Sequence, residues 1–158
     1  CTRLYRVLQG CTWRYKIEHS CTGLYSVVQS GTWFYMVVQG CIWLHMVVND
    51  ISRLYMVVQL RTWLYNFVHC CTMLYMVVFL CTTMYNIVQG CIWLYKVVHG
   101  CAIFYMVVQC CTWLYMYVQG FTSSFIVVYG CTRLHMVVQC CTWLYKDLHR
   151  RLRFYIVV

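Results

Sequence analysis

Proline is absent from all 158 residues, although average usage is about 5%. The residue that most readily interrupts β-aggregation is therefore missing throughout. Charge is nearly as scarce, with charged residues at 9% of the chain and hydrophobic ones at 63%. A soluble domain carries about 25% charged residues, so core material is plentiful and surface material is short. Acids are the rarest class, limited to Glu18, Asp50 and Asp147. A pair of carboxylates for general acid–base work is close to unavailable. The chain also lacks a C-x2-C pair, a G-x-S-x-G elbow, a glycine-rich phosphate loop and an H-E-x-x-H segment. Those absences argue against the familiar zinc, serine-hydrolase, nucleotide and zincin chemistries. No enzyme activity is expected, and no catalytic, cofactor-binding or metal-binding residue is assigned.

Lysine and arginine number 12 against 3 acids, for a formal charge of +9. The basic residues are scattered, and only Arg150, Arg151 and Arg153 form a cluster. A nucleic-acid partner is therefore not expected, since such surfaces concentrate their charge on one face. The pI of only 8.9 follows from 14 cysteines and 15 tyrosines, which begin to lose protons above about pH 8.

What is present is a repeat. The chain reads as a single array, residues 1–158, of about sixteen ten-residue units with consensus C-T-W-L-Y-M-V-V-Q-G and no insertion or deletion. Column two is Thr in eleven units; column five is Tyr in thirteen, with His45, Phe125 and His135 as the exceptions. Eleven cysteines fill column one, and Cys70, Cys110 and Cys140 each precede one of them. Cys1 opens inside a repeat and the first methionine is Met36, so the chain is read as a fragment of a longer reading frame without a visible signal peptide.

The variation is paired. Column three alternates Trp with Arg (Trp13, Trp33 and Trp63 against Arg3, Arg53 and Arg133). Column six alternates Met with Lys (Met36 and Met56 against Lys16, Lys96 and Lys146). Column nine alternates Gln with His (Gln9 and Gln29 against His19, His69, His99 and His149). No single physical role is expected to accept both members of the first two pairs. The genetic code accepts all three. A ten-nucleotide unit TGTACATGGN, repeated head to tail, is read in three successive frames and yields the observed decapeptide. Changing its seventh base from T to A converts Trp to Arg, Met to Lys and His to Gln in the three frames. Changing it to G accounts for Gly23 and Arg6. The unit has no forward stop codon and no CC dinucleotide, so an open frame without proline needs no selection on a protein. The leading reading is a conceptual translation of a tandem DNA repeat, with no specific biochemical function.

A chain so built is expected to be all-β. Ten is even, so columns keep their side along a period-two strand, whereas on a 3.6-residue helix they would smear. Thr, Trp, Tyr and the Val-Val pair favour strands, and Gln-Gly-Cys is the natural turn. The expected architecture is a decapeptide-repeat β-solenoid with stacked parallel strands, one unit per coil, and Thr, Leu, Met, Val and Gly inside. An antiparallel β-meander or barrel of short strands is the alternative.

Threonine and tyrosine ladders on short coils resemble the insect antifreeze β-solenoids over the whole chain. Beetle-type repeats carry T-x-T where this chain has one Thr per unit, and the midge type has a second Cys in each coil that is absent here. The resemblance implies ice binding; the composition alone implies a structural or adhesive surface. Membrane association is a further reading, because residues 62–95 and 97–132 contain no Asp, Glu, Lys or Arg. Recurrent Thr, Asn, Gly and Gln or His count against a spanning helix, and the lumen-facing polar set of an outer-membrane strand is missing. No specific partner is expected beyond self-association into cross-β material, through T-W-L-Y-M-V-V windows. The DNA encoding this chain is expected to repeat every ten bases; a coding sequence without that periodicity would overturn the codon reading.

Overall fold

The computed structural model describes residues 3–149 and 153–157. Its extended runs are β1 (Arg3–His19), β2 (Gly23–Gln109), β3 (Trp113–Tyr129), β4 (Arg133–His149) and β5 (Arg153–Val157). Laid straight, the 87 residues of β2 would reach about 290 Å at the usual rise per residue. Instead the ribbon winds. Each run pairs in parallel with the next, in the order β1-β2-β3-β4-β5, and every register advances by twenty: Tyr5↔Tyr25, Trp93↔Trp113, Leu114↔Leu134 and His135↔Tyr155. Inside β2 the same step appears in side-chain contacts, with Tyr75 stacked on Tyr95 and Gln39 donating to Gln59. The chain is a β-solenoid of about seven turns with a period of ~20 residues.

Parallel pairing throughout rules out the meander. The period also corrects the expected coil, which holds two ten-residue units rather than one. One face carries the units 21–30, 41–50, 61–70 and so on; the opposite face carries 31–40, 51–60, 71–80 and so on. The physical reason is width. Facing sheets pack about 10 Å apart to interdigitate their side chains, and a single unit folded on itself leaves no such gap for Leu and Met. Across the coil, the Asn66 amide lies 3.6 Å from the Met76 sulfur.

The corners are made by column ten. Six glycines there, and Ser20, Ser30, Asp50, Cys70, Leu80, Cys110 and Cys140, hold φ between 51° and 73°. That left-handed conformation turns the ribbon, and only glycine adopts it without cost. The ladder continues through the bend: Ser20 N–H donates to Gln39 O at 3.0 Å and Cys110 N–H to Tyr129 O at 2.9 Å.

Columns four, six and eight point inward, as in Leu94, Lys96 and Val98. The corner then resets the alternation. Columns nine and ten both face out, column one turns in, and columns two and three face out again. Leucine, methionine and valine are therefore inside as expected, but threonine is outside and cysteine inside, with Cys91 and Cys101 each 2% exposed. Strict period two, which placed Thr in the core, fails because a left-handed residue interrupts every strand.

Leu80 occupies such a corner at φ 52° with its side chain largely in solvent. Leu80→Gly is expected to stabilise the chain by about 1 kcal/mol, read as a higher midpoint in chemical denaturation with unchanged slope.

Candidate functional site

With the coil closed on itself, same-column residues of one face stack one rung apart, and two kinds of ladder result. The outer ones are aromatic. Tyr75, Tyr95 and Tyr115 stack at 4.8 Å between centroids, nearly parallel, and Trp93 lies 4.9 Å from Trp113. On the opposite face Trp43 lies 5.1 Å from Trp63. His45 continues the tyrosine ladder there, 4.7 Å from Tyr25 and 4.6 Å from Tyr65. Desolvation in that stack lowers the His45 pKa, and its Nδ1 has no hydrogen-bond partner. Desolvation first, then the neighbouring Tyr75 and Tyr115 phenols, raises the Tyr95 pKa.

Between the Trp and Tyr ladders of each face runs a groove floored by column-four leucines. One groove, of about 570 Å³, has Trp93 and Trp113 on one wall, Tyr95 and Tyr115 on the other, and Leu94 and Leu114 beneath. Its counterpart, of about 990 Å³, lies among Trp43, Trp63, Tyr25 and Tyr65 over Leu24 and Leu44. Arg133 and Arg3 are the charged residues that line them.

Arginine proves compatible with the tryptophan column. The Arg53 guanidinium sits 4.3 Å from the Trp33 ring centroid and Arg133 sits 4.2 Å from Trp113. A planar cation stacks on the ring face as another indole would. The sequence-based expectation that no one role suits both Trp and Arg is corrected here. It rested on side-chain class and took no account of a stack.

The inner ladders are thiols. Cys71, Cys91, Cys111 and Cys131 form a run of neighbouring hydrogen-bonded thiols in consecutive coils. On the opposite face Cys81 and Cys101 are neighbours in adjacent coils, as are Cys21 and Cys41. Thiol–thiol hydrogen bonds first, and burial second, push Cys71 and Cys111 upward.

The histidines of column nine are not brought together. His19 and His99 share a face but lie four coils apart, and His69 is on the other face. The His149 side chain lies outside the described residues. Glu18 is engaged by Arg6 and Lys16, each at 3.3 Å, and Asp50 occupies a corner. Among the described residues, no group of three or more His, Cys, Asp or Glu side chains converges as a metal site would. No helix among them is long and apolar enough to cross a membrane.

Lys96 was singled out in the sequence only as a codon variant of methionine. In the fold it is fully buried, 3.8 Å from the Met106 sulfur and 4.5 Å from the Phe104 ring centroid. No family model matches this chain, and neither a curated protein nor a solved structure matches it.

Burial holds the Lys96 pKa well below its ordinary 10.5. Between that depressed value and 10.5 the unfolded chain binds the extra proton, so native stability rises with pH across this window. Lys96→Met restores the column consensus and is expected to gain about 1–4 kcal/mol at neutral pH, the range seen when buried charge gives way to apolar packing. Thermal melts of both proteins from pH 7 to 10 check it: the gain in melting temperature should shrink as pH rises.

Proposed function

We propose that the chain is the product of a ten-base DNA array, has no catalytic activity, and behaves as a structural β-solenoid that binds extended apolar surfaces, above all other copies of itself. The exposed aromatic ladders carry this reading. Trp43 is 57% exposed and Trp93 49%, and the long segments 62–95 and 97–132 hold no Asp, Glu, Lys or Arg to oppose a second copy. Contiguous apolar patches beyond a few hundred Å² are rare on monomers and mark interaction surfaces. Two such faces, with the same rung spacing in every copy, can pack side by side as stacked sheets do.

Ice binding is the weaker surface reading. Column two does face solvent, as at Thr112 and Thr132. But Ile42 and Ala102 interrupt the threonine rank of one face and Ser52 and Ile92 that of the other, and Trp, Arg or another side chain sits beside each. The twenty-residue coil also departs from the ten-residue coils that suggested the midge-type resemblance.

The test is a charge placed on each face. Trp43→Arg with Trp93→Arg leaves a tryptophan neighbour, Trp63 and Trp113, on which each guanidinium can stack. The parent chain is expected to run as large assemblies in size exclusion with light scattering. The double variant should show a severalfold lower mean mass with the same far-ultraviolet circular dichroism. A parent chain that runs as a monodisperse monomer would sink the proposal.

A further inference from the structure

We propose that the groove between Trp93, Trp113 and Tyr95, Tyr115 is a binding site for rod-like, planar aromatic anions, with Arg133 receiving the anionic end. The site uses the same ladders as the proposed self-association but does not depend on it. Its walls are columns three and five of one face, paired rung by rung as Trp93↔Trp113↔Arg133 and Tyr95↔Tyr115↔His135. The wall rings are held in order by their own stacking, 4.9 Å between Trp93 and Trp113 and 4.9 Å between Tyr115 and His135. The floor is closed, because Leu94, Leu114 and Leu134 are each 2% exposed. A ligand therefore lies lengthwise in a trough and does not enter the core.

The spacing selects the shape. Two residues of strand set the walls about 6.8 Å apart. A molecule one ring thick, centred between them, has about 3.4 Å to each wall, close to the best separation of carbon atoms. From Met73 to Arg133 the groove runs three coils, about 14 Å at the usual rung spacing. Two rings joined by a short conjugated link fill that length. The volume of about 570 Å³ falls within the ordinary range for small-molecule sites.

Charge selects the sign. Among the described residues no acid lines the groove, and Arg133 closes the end of its tryptophan wall. The guanidinium lies 4.2 Å from the Trp113 ring centroid. Stacking occupies its face, while its N–H groups point outward in the ring-parallel plane, where one carboxylate accepts two of them. The formal charge of +9 also favours an anion over a cation at long range. The larger groove of the opposite face is built less well for this. Its cation, Arg3, has Gly23 as its register partner, so the neighbouring rung offers no ring to hold the guanidinium and the wall is broken before Trp43.

The probes are the para-carboxylate of trans-stilbene and its uncharged carboxamide, titrated into the full chain and followed by probe fluorescence. The parent chain is expected to bind the carboxylate about tenfold more tightly than the amide, with a preference that shrinks as salt is added. Arg133→Trp keeps the stack and removes the charge, so the two probes should then bind alike. Arg133→Gln serves the same purpose if the tryptophan variant leaves solution, and the ratio of the two probes within one protein cancels any change in the amount folded. Arg53→Trp, at a guanidinium that stacks on Trp33 outside this groove, should leave the ratio as in the parent. Equal binding of both probes by the parent, or an undiminished ratio without Arg133, would overturn the proposal. Light scattering on the same samples reports association separately. A monomer that shows the ratio keeps the groove and loses self-association, and large assemblies without the ratio do the reverse.

Discussion

The left-handed residue that recurs in column ten is the constraint from which the remaining geometry follows. It bends the ribbon twice per coil and sets the face at one repeat unit. It also breaks the in–out alternation at each bend. Glycine meets it freely at Gly90, Gly100, Gly120 and Gly130, while Ser20, Asp50, Leu80 and Cys110 adopt the same φ against their preference. A non-glycine residue there costs about 1–2 kcal/mol, so the corner is imposed by the stack rather than chosen locally. Hydrogen bonds above and below, such as Thr132 N–H to Cys111 O at 3.2 Å, tie each corner to its neighbours. A residue that would turn another way has to break two rungs to do so.

Once corners are in register, like stacks on like, and each column is tested against its own image one rung away. Column nine passes with either residue. Gln39 donates to Gln59 and Gln89 to Gln109 as an amide ladder in partial contact with solvent, and His99 stands at the edge of Phe79 in the same rank. Column three passes because guanidinium and indole both present flat faces. Column six fails in part. Its methionines fill the centre of the coil, yet Asn66, Asn86, Ser26 and Lys96 sit there fully buried, and the Asn66 and Asn86 carbonyl oxygens and Ser26 Oγ have no hydrogen-bond partner. The same exchanges that are harmless on the outer surface are costly within. Such a pattern fits variation that arises in codons and is filtered weakly by packing.

Much of this was legible beforehand, and what was not has identifiable causes. Strand composition and even period gave β structure, the identity of the units favoured parallel stacking over a meander, and the Leu, Met and Val columns lie where alternation puts them. Coil length was hidden because all units are alike: a ten-residue repeat reads identically whether one unit or two closes a turn. The inward turn of Cys21 and Cys81 depends on the φ of Ser20 and Leu80, whose identities do not advertise it. The grooves and the thiol ladders needed the twenty-residue register, since only then do Trp93 and Trp113, or Cys81 and Cys101, become neighbours. Lys96 was visible as a departure from Met, but nothing in its column says that the position is sealed.

The proposed codon origin and the ladders are compatible with each other in a definite way. A ten-base unit read in three frames fixes which residues recur, and recurrence alone, given one turn geometry, arranges them at the spacing of a β-ladder. Aromatic walls and paired thiols then arise together, without selection for either. What codons do not supply is agreement between columns. Lys96 is one base from the methionine codon, and in the folded chain it meets the partners a methionine would meet, the Met106 sulfur and the Phe104 ring, rather than a carboxylate placed to receive it.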